Sequence, residues 1–321
     1  MNEEDNKDKL VYILYHENCL DGWASAYLAY RLYRDMGIQQ IVLQPINYGG
    51  RESEVIGTIY DDIDAHIDEI MFVDFCPTQL TIDSLVSPAM NVGNIVVLDH
   101  HVGQCHLMAK YAEEYTNVHA EYSETLSGVG LVWRHWMEQR NASEQVKLPR
   151  MFAAVQDRDL WQFKLAYTKE ICEALYCQSL NPWTVAHWDE LYDSPTESLG
   201  NLINIGKTLL TYKENAYEQI MKNAYPMCLA YRDDDGVPTT ITGLAVNAPY
   251  EYASEIGHRL AEQCGSFGLV WNYNGREGLA HCSIRGTNMD VLPIAKQAGG
   301  GGHAKAAGFT MTLIELANCA V

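Results

Sequence analysis

Through the first half of the chain, short apolar runs alternate with longer segments in which apolar residues recur at helical spacing. Residues 10–15 read Leu-Val-Tyr-Ile-Leu-Tyr, a β-prone run, and residues 20–36 follow with helical character. The pair predicts one strand–helix unit. Further strands are expected at 40–44, 69–75 and 94–98, with helices at 78–85, 102–114, 127–138 and 148–160. This alternation predicts a parallel sheet covered by helices. Ser127 is suited to capping the helix that follows it.

The pattern then changes twice. Residues 194–225 are rich in Leu, Ile, Lys, Glu and Asn with little strand signal, and read as a helical connector. After Pro226, strands are expected at 228–232, 239–246, 268–272 and 279–285, with helices at 251–264 and 291–298. The fold class is therefore α/β: a parallel-sheet domain over 1–193, a helical linker over 194–225, and a smaller mixed-sheet α/β domain over 226–321. No internal repeat is evident, and the only local simplicity is the four-glycine run at 299–302.

Composition narrows the partners more than the fold. The 321 residues are 47% hydrophobic, enough for two packed cores. Against 42 acidic residues stand 22 basic ones, a formal charge of −20, and binding to long polyanions rests on many Lys and Arg contacts. Long DNA is thereby disfavoured, whereas a short phosphorylated ligand is not, because divalent ions invert the local field. The nine cysteines are odd in number, scattered and without a Cys-x-x-Cys pair, and read as reduced thiols. The polar start from Met1 to Asp5 lacks the features of a signal peptide, and no long apolar segment follows. The expected location is the cytoplasm, with no membrane partner; a homodimer is compatible with everything in the sequence.

Candidate chemistry falls at the ends of predicted elements. Asp99, His100 and His101 terminate the run Ile95-Val96-Val97-Leu98, where a buried strand opens onto a cleft. His16 and Asp21, followed by Gly22, lie between the first strand and its helix; Asp74 closes the strand that contains Met71, Phe72 and Val73; Asp157 and Asp159 flank Arg158. Taken singly, Asp21 could be merely a helix cap, Asp74 is more often a turn or cap residue, and Asp157 and Asp159 could form a solvated ion-pair cluster with Arg158. Together they bring carboxylates and imidazoles to one edge. Oxygen and imidazole ligands without a thiolate cluster favour Mn²⁺ or a similar divalent ion, and two ions would suit so many ligands.

The ordered set His16, Asp21-Gly22, Asp74, Asp99-His100-His101 and Asp157 resembles the four motifs of the DHH phosphoesterase family. At the other end, Ser283-Ile284-Arg285 and the segment Gly299-Gly300-Gly301-Gly302-His303-Ala304-Lys305-Ala306-Ala307-Gly308-Phe309 resemble the DHH-associated C-terminal domain of RecJ-like exonucleases and nanoRNases. The likeness spans nearly the whole chain. It implies two Mn²⁺ ions, with Mg²⁺ or Co²⁺ as alternatives, bridged by Asp74, with His16 on one ion and Asp21, His100 and Asp157 on the other. It implies that Asp99 orients its neighbours and that His101 acts as a catalytic residue facing the scissile phosphate. Ions held about 3.5 to 4 Å apart activate a water for in-line attack. One position departs from the pattern: where many relatives have an aspartate two residues before the match to Asp21, this chain has Cys19, and a thiol is a poor Mn²⁺ ligand.

The glycine run directs attention to the substrate. Four glycines let a backbone approach a ligand and offer N–H groups as an anion nest, so Gly300, Gly301 and Gly302, with His303 and Arg285, are expected to bind substrate. The expected activity is hydrolysis of 5′-phosphorylated dinucleotides such as pGpG or pApA, or of very short oligoribonucleotides, to mononucleotides. Cyclic-dinucleotide, pyrophosphate or polyphosphate hydrolysis is the alternative within the same superfamily. From another class, the chain could be a nucleotide-binding sensor that has lost catalysis through Cys19.

Overall fold

The computed structural model describes residues 6–48, 52–60, 66–140, 147–178, 184–232 and 236–321; residues 1–5, the polar start read above, lie outside these. The chain divides into two compact units, 1–210 and 211–321.

In the first unit, β1 (Leu10–His16) leads to α1 (Leu20–Asp35), β2 (Gln40–Ile46) to α2 (Glu52–Tyr60), and β3 (Ile67–Val73) to α3 (Gln79–Leu85). Next come β4 (Val92–Asp99), α4 (Cys105–Glu114), β5 (Val118–Tyr122), α5 (Gly128–Gln139), α6 (Arg150–Asp159), α7 (Thr168–Gln178) and α8 (Val185–Asp193). The five strands form one all-parallel sheet in the order β2-β1-β3-β4-β5. Successive side chains on a strand point to opposite faces, and here both faces are buried. Val11 and Ile13 of β1, Met71 and Val73 of β3, and Val96 and Leu98 of β4 enter one core, packed with Trp23, Tyr27 and Leu28 of α1 and Phe152 of α6. Tyr12 and Leu14, Ile70 and Phe72, and Ile95 and Val97 enter the other, with Ile59, Ile82, Leu85, Met108 and Tyr111. That is why these strands read as continuous apolar runs.

The 27-residue helix α9 (Pro195–Met221) occupies most of the expected connector, and the division between the units falls inside it. The second unit continues with β6 (Tyr225–Arg232), β7 (Pro238–Asn247), α10 (Ala253–Cys264), β8 (Phe267–Asn274), β9 (Leu279–Gly286), α11 (Leu292–Gln297), β10 (Gly301–His303), β11 (Ala306–Met311) and α12 (Leu313–Cys319). Its sheet runs β10-β11-β9-β8-β7-β6, with β7 and β8 parallel across the α10 crossover and the other pairs antiparallel. Among the described residues, no helix is long and apolar enough to cross a membrane.

Candidate metal centre

The first sheet has one topological switch point. From β1 the chain goes to β2 on one side and then to β3 on the other, so a crevice opens beyond the carboxyl ends of β1 and β3. His16 is the last residue of β1, Asp74 follows β3 directly, and Asp99 ends β4. Asp74 adopts a left-handed backbone, φ 56°, while its N–H still donates to the Leu98 carbonyl at 2.9 Å. This conformation is uncommon outside glycine, although aspartate tolerates it better than most, and it turns a 1% exposed carboxylate into the crevice.

The two oxygens of Asp74 face different partners. Oδ2 lies 3.5 Å from His16 Nδ1, and Oδ1 lies 3.1 Å from His100 Nε2. His100 Nε2 is also 3.2 Å from Asp159 Oδ2. Potential ligand atoms of His16, Cys19 and Asp74 fall within 4.8 Å of one another, as do those of Asp21, His100 and Asp159, and those of Asp74, His100 and His101. Asp99, fully buried, accepts from the His100 N–H at 2.9 Å and sits 2.6 Å from His101 Nδ1, both through Oδ1. One carboxylate oxygen thus ties down the backbone of His100 and the ring of His101.

The amino terminus of α5 completes the wall. Ser127 stands at its N-cap, but the hydroxyl makes no cap bond; it donates instead to Asp21 Oδ1 at 2.8 Å, and the Val129 N–H donates to the same oxygen at 3.3 Å. The expected capping role is therefore corrected: the serine gives its donor to a buried acid that needs one. A Cβ on Gly128 would lie 2.7 Å from Asp74 Cβ and 2.8 Å from Asp21 Oδ2, so only glycine lets the helix come this close. The places in this site of Ser127, of Gly128 and of Tyr48, whose ring stands 5.5 Å from that of His16 and 5.9 Å from that of His101, were not legible in the sequence.

Asp157 is not in this cluster, contrary to the sequence expectation; Asp159 takes the place. Both lie on α6, and two residues along a helix rotate a side chain by about 200°, so only one of the pair can face the crevice. The Asp157 carboxylate points the other way. It accepts from the Lys164 N–H (2.9 Å), the Leu165 N–H (3.0 Å) and the Thr168 hydroxyl (2.5 Å), tying down the loop between α6 and α7. Although burial opposes it, these bonds hold Asp157 below the usual carboxylate range.

The cluster carries more acid than it can neutralise. Burial, reinforced by Asp159 and Asp74, pushes the Asp21 carboxyl well up. Asp159 is also raised, by burial and the charge of Asp74, against the pull of His100. Asp74 goes the other way: against its burial, the hydrogen bond from His100 and the nearby imidazoles of His16 and His101 hold it far below the ordinary value. Burial would depress His100, but the Asp74 bond and the charges of Asp159, Asp74 and Asp21 push it up to about 10. His101 is pushed up to about 9 by Asp99 against the same burial. Burial, then Asp74, Asp159 and Asp21, raises the Cys19 thiol, with only the Gly22 N–H pulling it down. Protons thus stand where positive charge is wanted.

Among the described residues, the buried atoms His16 Nδ1, Asp21 Oδ2, Asp74 Oδ2 and Asp99 Oδ2 have no hydrogen-bond partner. Such atoms are costly unless something completes them. Aspartate and imidazole donors converging on one space fit divalent cations, whose binding would release the protons held there.

In the second unit, the first two N–H groups of the glycine run are already engaged within the fold. The Gly299 N–H donates to the Lys296 carbonyl at 3.0 Å and the Gly300 N–H to that of Ala295 at 2.8 Å, closing the carboxyl end of α11, with Gly299 at φ 79°. Gly301, Gly302 and His303 then form β10 against β11. A Cβ on Gly300 would fall 2.0 Å from the Gly308 carbonyl, whereas one on Gly301 would meet open space. Arg285, on β9, donates to the Ser283 hydroxyl (2.9 Å), the Ile284 carbonyl (3.0 Å) and the Ser254 hydroxyl (2.8 Å). These partners are all uncharged, and burial lowers the pKa of the guanidinium.

This is a DHH-family fold: a switch-point α/β sheet with its acids and histidines at the strand ends, followed by a mixed sheet. Solved structures bear that out. The DHH domain of PF0399, described as belonging to a family of ribosomal proteins, superposes with a TM-score of 0.65 at 14% identity, covering 97% of this chain and 85% of that one. An exopolyphosphatase-related protein from Bacteroides fragilis gives 0.51 at 14% identity (99% and 92%). The pGpG-specific phosphodiesterase PggH from Vibrio cholerae gives 0.50 at 13% identity (97% and 96%). In sequence, the chain is 27% identical over 326 residues to the uncharacterized protein R106 of Acanthamoeba polyphaga mimivirus, covering 97% of this chain and 69% of that protein. No protein-family model matches the chain.

Proposed function

We propose that this protein is a metal-dependent phosphodiesterase that cleaves 5′-phosphorylated dinucleotides or very short oligoribonucleotides to mononucleotides. The observation that carries the reading is Asp74, whose two oxygens serve two sets of side chains: His16 and Cys19 on one side, His100 on the other with Asp21 and Asp159 beside it. Two divalent ions held by these sets, Mn²⁺ being suited to the oxygen and imidazole donors, would supply a water activated for in-line attack and positive charge for the phosphate oxygens.

The remaining side chains do the positioning. Asp99 holds the His101 ring through Nδ1, beside His100 in the cluster, where it would face a bound phosphate. A histidine held in this way can give a proton to the departing ribose oxygen. Arg285 supports a nucleotide substrate: a mostly buried guanidinium bonded only to neutral acceptors keeps its charge for an anion. His303 and the open face of Gly301 belong to the same proposed substrate surface. The pGpG specificity of one structural neighbour agrees with this reading, and the exopolyphosphatase-related neighbour defines the alternative.

The test is Mn²⁺-dependent release of mononucleotides from RNAs of two to about ten residues, assayed beside pyrophosphate and a cyclic dinucleotide. Fastest turnover on the dinucleotide supports the proposal; a preference for pyrophosphate, the cyclic compound or long DNA overturns it.

A further inference from the structure

The Cys19 thiol is not a bystander to the cluster. Its sulfur lies within 4.8 Å of ligand atoms of both His16 and Asp74. His16 Nδ1 and Asp74 Oδ2 are themselves buried without hydrogen-bond partners among the described residues, and they stand 3.5 Å apart. Donors on one tetrahedral ion, at bond lengths of about 2.0 to 2.3 Å, are separated by roughly 3.3 to 3.7 Å, so this pair already has the required spacing and the sulfur needs only a small movement. Cys19 is also the N-cap of the 16-residue helix α1, with extended backbone and no side-chain cap bond, so its sulfur is not taken up in capping that helix.

We propose that His16, Cys19 and Asp74 form a mixed nitrogen, sulfur and oxygen site that takes a borderline transition ion such as Zn²⁺ or Co²⁺ through the Cys19 thiolate, and that the two halves of the centre therefore prefer different metals. This rests on the two-ion reading above and assigns one half of it a distinct chemistry. The other half offers Asp21, His100 and Asp159, donors that suit Mn²⁺ or Mg²⁺. A thiolate turns the first half away from those ions and toward softer ones. Binding would convert the Cys19 thiol to thiolate, with its proton released to solvent and a sulfur–metal bond formed; no oxidant or reductant is required.

The test uses the full chain, stripped of metal, reduced, and titrated with Co²⁺ alone. The wild type is expected to develop a near-ultraviolet sulfur-to-cobalt charge-transfer band in addition to the visible absorption of bound Co²⁺. Cys19→Ser is expected to lose the charge-transfer band and keep visible absorption from the other half. In parallel, Zn²⁺ should slow alkylation of Cys19 in the wild-type protein by about tenfold or more, as mapped on the Cys19 peptide, which needs no variant to fold. Cobalt bound with visible absorption but no charge-transfer band, or a band that persists in Cys19→Ser, or alkylation unaffected by Zn²⁺, overturns the thiolate assignment and leaves the metal centre standing. No cobalt bound at all overturns both.

Discussion

Asp157 and Asp159 show how far single residues could be read. Both acids stood out in the sequence, but their spacing could not decide which one faces the crevice, because a helix sends them to opposite sides; only the placement of α6 does so. Activity and stability should separate them. Asp159→Asn is expected to lose turnover by about a hundredfold or more, while Asp157→Asn stays within about threefold, in a Mn²⁺-supported dinucleotide assay. Stability should show the reverse. Asp157 is depressed in the folded state, so its contribution is present above the unfolded carboxylate value of about 3.9 and is lost as pH falls through the folded value. Urea unfolding should therefore find Asp157→Asn less stable than wild type by about 1 to 3 kcal/mol at pH 7, the gap closing as pH falls below about 4. Cys19 was visible as a departure from the family pattern; that it shares a space with His16 and Asp74 was not.

At the scale of elements, the strands with both faces buried were legible from their apolar runs, and the positions of His16, Asp74 and Asp99 at strand ends followed from them. Elements without such runs were missed. The five-residue β5 has only Val118 buried, and β11, Ala-Ala-Gly-Phe-Thr-Met, carries little strand propensity. In the glycine run, composition could not show that the first two N–H groups close the end of α11, where the carbonyls of Lys296 and Ala295 take them. The approach of α5 to the acids yields a sharper prediction. Gly128→Ala should destabilise the fold by about 1 to 3 kcal/mol and weaken Mn²⁺ binding, because its Cβ has no room between Asp74 and Asp21. Gly200→Ala, in α9 with open space around its Cβ, should instead gain about 0.5 to 1 kcal/mol. Thermal melts and calorimetric Mn²⁺ titration check both.

For the whole molecule, a charge of −20 and a mostly buried arginine in the second unit bear on the proposed substrate. Turnover should fall as RNA lengthens, and raising salt from about 50 to 200 mM should change the dinucleotide KM only slightly, since few phosphates are neutralised. If Arg285 binds substrate as proposed, Arg285→Ala should raise KM for dinucleotides by about tenfold or more while leaving hydrolysis of a small phosphodiester such as bis(p-nitrophenyl) phosphate unchanged. The two-unit α/β organisation could be anticipated from the changing periodicity, whereas the division inside α9 could not, because one continuous helix gives no break in pattern. The most direct measurement of the central claim is hydrolysis of 5′-pGpG by wild type and Asp74→Ala, with Mn²⁺ and then with excess chelator. Wild-type turnover with Mn²⁺, alone or with Zn²⁺ or Co²⁺ added, is predicted to disappear with chelator and to be absent from Asp74→Ala; no turnover by the wild type with any of these ions, or full turnover by the variant, would contradict a metal centre built on Asp74.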